Sequence, residues 1–273
     1  MALALRFAEE AEFSSRACDS SSYDAPDASP GKAFFRWSRP VRQLLGPHAN
    51  KPIKTKTLII AMPGVAQGFI KRVTATWTPV GTLVTSDQYI PSCTLQPDIA
   101  GNAAVVLSRT ELSVTDESNT LAVVVGPEVP IITTWVWLNT LLQHVDTNDI
   151  VCLCSELSTI YADRHLDAEN GAKLRVLTSS TVPQAMKINV SLLEVPQFVT
   201  GIPAALLTYG ELRKHHVRVF VSLRDVSSTS SDVMRSFMPI AVSMLGTRED
   251  GSINFELGGF YNDRTSTYNV LYT

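Results

Sequence analysis

Cysteine is scarce in this chain. The four residues, Cys18, Cys93, Cys152 and Cys154, are scattered and match no metal or redox spacing. That excludes a disulfide framework and points to reduced thiols in the cytoplasm or nucleus. Long apolar runs are missing too. No stretch approaches the roughly 18 residues that a membrane span requires, so no membrane partner is expected. The apolar opening Met1 to Phe7 is cut short by Glu9, Glu10 and Glu12, which suits neither a secretory signal nor a transit peptide. An excess of positive charge is also lacking. The net charge of -3 supplies no overall field for nucleic acid, so no nucleic-acid partner is expected.

Catalytic signatures are equally sparse. Gly64-Val-Ala-Gln-Gly68-Phe-Ile-Lys71 has the glycines of a phosphate-cradling turn but neither the P-loop nor the dinucleotide spacing. A nucleotide-binding or phosphorylase-like α/β enzyme using this Gly64–Lys71 turn is therefore the alternative reading. Cys152 and Cys154 stand two apart, which on a strand puts both thiols on one sheet face. Two packed core cysteines follow, with no metal site. His215 and His216 are consecutive and diverge by roughly 100° on a helix, a poor arrangement for joint ligation. No G-x-S-x-G elbow is present. The sequence thus gives no catalytic residue, no cofactor and no metal ligand.

Hydrophobic content is ample: 45% of 273 residues, enough for a substantial core. Residues 11 to 32 are rich in Ser, Asp, Ala and Pro and predict disorder. Phe34, Phe35 and Trp37 then form an aromatic cluster that packs the segment onto its own domain. Buried-type strands are expected at 57–62, 121–125 and 149–154, where short apolar runs end in turn residues. Further strands are expected at 101–107, 174–177, 188–193 and 217–223. Helices are expected at 65–74, 133–145, 204–215 and after Asp232, which is positioned to cap the last of them. Pro239 predicts a kink in it. Strands alternating with helices predict an α/β fold with a mainly parallel, buried sheet flanked by helices. The organisation expected is a largely disordered segment 1–50, an α/β domain 51–258 and a flexible tail 259–273 after Gly258-Gly259.

The most telling block runs Leu193-Glu-Val-Pro-Gln-Phe-Val-Thr-Gly-Ile-Pro203-Ala-Ala-Leu-Leu-Thr-Tyr209-Gly-Glu-Leu212. With the Val217–Leu223 strand, the Ser231–Ile240 segment and the ending Leu271-Tyr272-Thr273, it resembles the proteasome assembly chaperone 1 family. These are the Pba-type subunits of the heterodimeric proteasome assembly chaperones. The resemblance implies a chaperone that is not an enzyme and that works in the cytoplasm or nucleus. It implies a heterodimer with a second, homologous proteasome assembly chaperone subunit, bound to the proteasome α subunits of the immature 20S core particle. It further implies that Leu271, Tyr272 and Thr273 form a hydrophobic-Tyr-X partner-binding motif. That tail would enter a pocket between neighbouring α subunits, its terminal carboxylate facing a lysine.

Overall fold

The computed structural model describes residues 31–46, 52–86, 104–109, 118–126, 129–157, 172–186, 189–195, 197–224 and 228–245. Its strands are β1 (Lys32–Trp37), β2 (Ile53–Ala61), β3 (Thr78–Ser86), β4 (Ala104–Ser108), β5 (Ser118–Val124), β6 (Val145–Asp146), β7 (Asp149–Leu157), β8 (Lys173–Thr178) and β9 (His216–Arg224). Its helices are α1 (Arg39–Leu45), α2 (Val65–Val73), α3 (Thr134–His144), α4 (Gly201–Arg213), α5 (Ser230–Ser236) and α6 (Met238–Leu245). The strands make one sheet in the order β1-β3-β4-β5-β2-β7-β9-β8, with β6 beside the start of β2.

The sheet is mixed. Its centre, β5-β2-β7-β9, is parallel. Both wings are antiparallel: β1-β3-β4 joined to β5 on one side, and β8 on β9 on the other. The sequence pattern explains the division. Leu58-Ile-Ile-Ala61, Ile150–Cys154 and Val217–Leu223 are buried along their whole length. Strands of that kind need helices on both faces. Residues of β4 alternate between buried and partly buried, as in a strand with one wetter face.

Helices cover both faces of the sheet. On one, Val41 and Leu45 of α1, Trp137, Leu138 and Leu141 of α3, and Ile202, Ala205 and Leu206 of α4 pack with Leu58, Ile60, Ile150, Cys152, Val217 and Val219. On the other, Ala66, Phe69 and Ile70 of α2 join Val233 and Met234 of α5, and Ile240 and Ala241 of α6, against Ile59, Val151, Leu153 and Phe220. The Phe69 and Phe237 rings lie 5.6 Å apart and tie α2 to the α5–α6 junction.

Several local expectations need correction. Residues 32–45, inside the 1–50 segment, form β1 and α1, and Phe35 and Trp37 pack against Gly81 of β3 and His144 of α3, as expected of the aromatic cluster. β3 was not expected from the sequence. The strand expected at 188–193 reduces to one bridge, Val176 to Leu192, held by Val176 N–H to Ser191 O and Leu193 N–H to Val176 O, both 3.0 Å. Ile188 lies outside the described residues. The cap of α5 is Thr229, and Asp232 sits three residues later as the reciprocal acceptor of a capping box. The helix expected after Asp232 is interrupted at Phe237, and Pro239 falls in the first turn of α6, where a missing N–H costs nothing.

Candidate partner-binding surface

The predicted recognition residues Leu271, Tyr272 and Thr273, and the whole 259–273 tail, lie outside the described residues. The chemistry-bearing residues of the body can be placed. Gly64, in the turn after β2, caps the start of α2 with φ 96°, a backbone conformation that favours glycine. Lys71, however, is in the last turn of α2, about 10 Å along the axis from that glycine. The first turn of α2 therefore has no lysine to meet a phosphate, and the nucleotide-binding alternative is not favoured. Cys152 and Cys154 are buried and free, as the strand spacing predicts. Burial pushes both thiols well above their ordinary range, Cys154 further through its neighbours Cys152 and Glu156. Cys18, Cys93 and His165 lie outside the described residues.

The two adjacent histidines serve the backbone separately. His215 Nδ1 lies 2.7 Å from Thr147 O, and the His216 N–H donates to Asn148 O at 2.8 Å. Among the described residues, no three His, Cys, Asp or Glu side chains converge on a common point. No described helix is long and apolar enough to cross a membrane.

A polar lock instead fixes α4 and β9 onto the sheet. Arg218 on β9 grips Asp149 at the start of β7 with Nη2–O distances of 2.8 and 2.7 Å. Its Nη1 donates to Met186 O at 3.1 Å, and Thr57 Oγ1 donates to Asp149 at 3.3 Å. Nearby, Ser179 and Thr181 hydroxyls donate to His215 O at 3.0 and 2.6 Å, closing the loop after α4. Glu211 accepts from the Ser180 hydroxyl and N–H, which holds its carboxyl below the ordinary value. Leu206 is fully buried beneath α4, and the Tyr209 ring lies tilted against His215 with centroids 5.1 Å apart.

The surface of α3 and α4 is unusual in another respect. Thr134–His144 has no acidic or Lys/Arg residue, and Gly201–Arg213 has only Glu211 and Arg213. Ile131, Ile132 and Trp135 at the start of α3, Phe198 before α4 and Leu212 near its end are all exposed. Sequence reasoning identified these helices by their buried stripes. It did not register that their outer sides are also charge-poor.

No protein-family model matches the chain, and no curated protein matches it in sequence. Solved structures do resemble it in fold. Pyrococcus furiosus PbaB, described as an archaeal proteasome activator, superposes with a TM-score of 0.53 at 10% identity, over 80% of this chain and 91% of that one. P. furiosus PbaA, described as an archaeal homologue of proteasome-assembly chaperone, gives 0.51 at 12% identity, over 76% and 83%. A Thermoplasma acidophilum protein of unknown function gives 0.51 at 10% identity, over 79% and 87%. This chain thus shares its overall fold with PbaA and PbaB, the fold of the Pba-type proteasome assembly chaperones.

Proposed function

We propose that this chain is a proteasome assembly chaperone subunit that pairs through its α/β body with a second, homologous subunit and binds the α ring of the immature 20S core particle. The observation that carries this reading is the fold it has in common with PbaA, whose description names proteasome assembly. In this reading Leu271, Tyr272 and Thr273 dock in a pocket between neighbouring α subunits, and the work is done in the cytoplasm or nucleus without catalysis or cofactor. The energetics favour a two-subunit device. Burying one Tyr and one Leu is worth roughly 3–6 kcal/mol before ordering costs. That corresponds to about millimolar binding. A partner with its own anchor makes the second contact intramolecular and raises avidity by a factor on the order of 10²–10⁴. Extended, residues 260–273 reach about 45 Å, enough to leave the body and enter a deep pocket.

The test is co-sedimentation of the paired subunits with purified α rings, with and without one residue appended after Thr273. The extension should abolish most of the binding. Undiminished binding would rule out tail docking, and no binding by the unmodified pair would overturn the chaperone reading itself.

A further inference from the structure

We propose that the acidic segment 9–27 of this chain lies on a basic edge of its own α/β body and acts as the internal counter-charge of that edge. The described residues carry 16 Lys and Arg against six Asp and Glu. The whole chain carries 23 against 26. The remainder therefore holds seven cations and 20 anions. A net charge of -3 thus joins a strongly basic body to strongly acidic flanking and connecting segments. A charge asymmetry between parts of one chain is the mark of an interaction surface.

The cations gather where the parallel strands begin. Thr57, Asp149 and His216 stand level at the starts of β2, β7 and β9. Lys54 and Lys56 open β2, and Arg213 and Lys214 end α4 just before β9. Two hydrogen bonds tie these places together. Thr147 Oγ1 donates to Lys56 O at 3.3 Å, and Thr147 O lies 2.7 Å from His215 Nδ1. Burial pushes the Tyr209 hydroxyl up, Arg213 opposes that and Asp146 adds to it, so both charges lie close to this ring. Asp146 in turn stands opposite Lys54 in the β2–β6 ladder. β1 runs antiparallel to β2 in the sheet and ends at the same edge, where α1 carries Arg39 and Arg42. All six cations are exposed, and among the described residues none of them makes an ion pair. Of the acids that these elements bring to the edge, Asp149 is held by Arg218 and Glu211 by Ser180, which leaves Asp146. The helix dipole accounts for cations at the end of α4. It does not account for Lys54 and Lys56, which stand on a strand.

Charge and reach select the occupant. Residues 9–27 hold Glu9, Glu10, Glu12, Asp19, Asp24 and Asp27, with Arg16 their one cation. No other segment outside the described residues carries as many acids. The segment joins the body at Lys32, at the far end of β1 and about 20 Å from the basic edge. Asp19 reaches about 45 Å from Lys32 along an extended chain, so its neighbourhood spans that distance with slack. The covalent connection holds the carboxylates near the edge at about millimolar effective concentration. Attraction between like-numbered opposite charges requires no ordered backbone in the segment. It acts over about 30 Å at 0.01 M salt and only about 3 Å at 1 M. The consequence is an edge screened from polyanions until the segment is displaced. This inference goes beyond the proteasome reading and stands without it.

Zero-length carbodiimide cross-linking of the full chain, mapped by peptide mass spectrometry, provides the test. In low salt, carboxylates of 9–27 should couple to Lys54, Lys56 or Lys214. Coupling to Lys173, at the opposite edge beside Leu223, should be several-fold weaker. Salt at about 1 M should remove most of the yield. A mixture of isotopically light and heavy chains should give links of one label only, because the contact is within a chain. Binding of a heparin oligosaccharide supplies a second measurement. A full chain with Glu9→Gln, Glu10→Gln, Glu12→Gln, Asp19→Asn, Asp24→Asn and Asp27→Asn should bind it about tenfold or more tightly than the unmodified chain. Adding Lys54→Gln, Lys56→Gln and Lys214→Gln should cancel that gain, with the melting curve retained throughout. Absent links, links of mixed label, or a heparin affinity indifferent to the six carboxylates would each overturn the proposal. Tight heparin binding by the unmodified chain, unchanged in the carboxylate variant, would assign the edge to an external polyanion instead. None of these measurements involves the proteasome, so their failure leaves the chaperone reading to be judged separately.

Discussion

At the scale of single residues, contact distance decides what the sequence can tolerate. Gly210 is buried on the inner side of α4, and a Cβ built there would meet Val217 Cγ2 at 2.5 Å and His215 O at 3.2 Å. Alanine ordinarily favours a helix over glycine by up to about 1 kcal/mol. Here overpacking opposes that gain and costs about 1–3 kcal/mol, so Gly210→Ala should be net destabilising. Urea unfolding measures the sign, and adding Val217→Ala should recover part of the loss by removing the clashing methyl. Glu211 offers a titration at the same helix. The Ser180 hydroxyl first, and its N–H second, depress the carboxyl's folded pKa. A depressed carboxylate contributes stability above its unfolded pKa and loses that contribution as pH falls through the folded value. Ser180→Ala should therefore move the Glu211 titration up toward the ordinary carboxylate range in a side-chain NMR experiment. The position of that curve should remain unchanged if the hydroxyl contact were unimportant.

At the scale of elements, register is held by packing and by one buried ion pair. Arg218 and Asp149 are 6% and 13% exposed in their side chains and join β9 to β7 across the parallel centre. Arg218 Nε has no partner, so the guanidinium depends on Asp149, Met186 O and little else. Asp149→Asn strands a buried cation and should cost about 3–5 kcal/mol in denaturant unfolding. Replacing both residues, as Asp149→Leu with Arg218→Met, should cost distinctly less, since a well-packed apolar pair of similar size removes both charges together. Equal losses in the single and double variants would show that the pair's other contacts dominate. The parallel strands β2, β5 and β7 were legible as short continuous apolar runs, and β9 as an alternation of β-branched and polar residues. β3 was not, because Pro79 and Gly81 read as turn residues. The structure uses both: the ladder to β4 slips between Pro79 and Gly81, and the missing side chain at Gly81 admits the Phe35 and Trp37 rings, 3.0 and 3.2 Å from where a Cβ would stand. Only the paired structure reveals that accommodation, since residues 35 and 81 are distant in sequence. The expected strand at 188–193 failed for the opposite reason. Its β-branched residues favour extended backbone, but beyond one bridge at Leu192 it adds no further ladder to β8.

At the scale of the whole molecule, rigid body and tail should be separable functions. The body's residues, from the core beneath α3 and α4 to the Arg218–Asp149 lock, concern folding and, in the proposed reading, subunit pairing. The proposed recognition unit is the last three residues, and it acts through position as much as identity. The Tyr272 ring supplies apolar burial, and its hydroxyl requires a partner once buried. The Thr273 carboxylate supplies a charge-assisted contact only if the chain ends there. Tyr272→Ala should therefore weaken α-ring binding by more than Tyr272→Phe, which keeps the ring. Because a lost anchor forfeits the intramolecular second contact, Tyr272→Ala should reduce ring affinity by a factor on the order of 10² or more in equilibrium pull-down with the paired subunit present. Neither substitution should move the melting temperature or the pairing of subunits. If Tyr272→Ala lowered the melting temperature as much as ring binding, the tail would be part of the fold, and its docking into a foreign pocket would have to be abandoned.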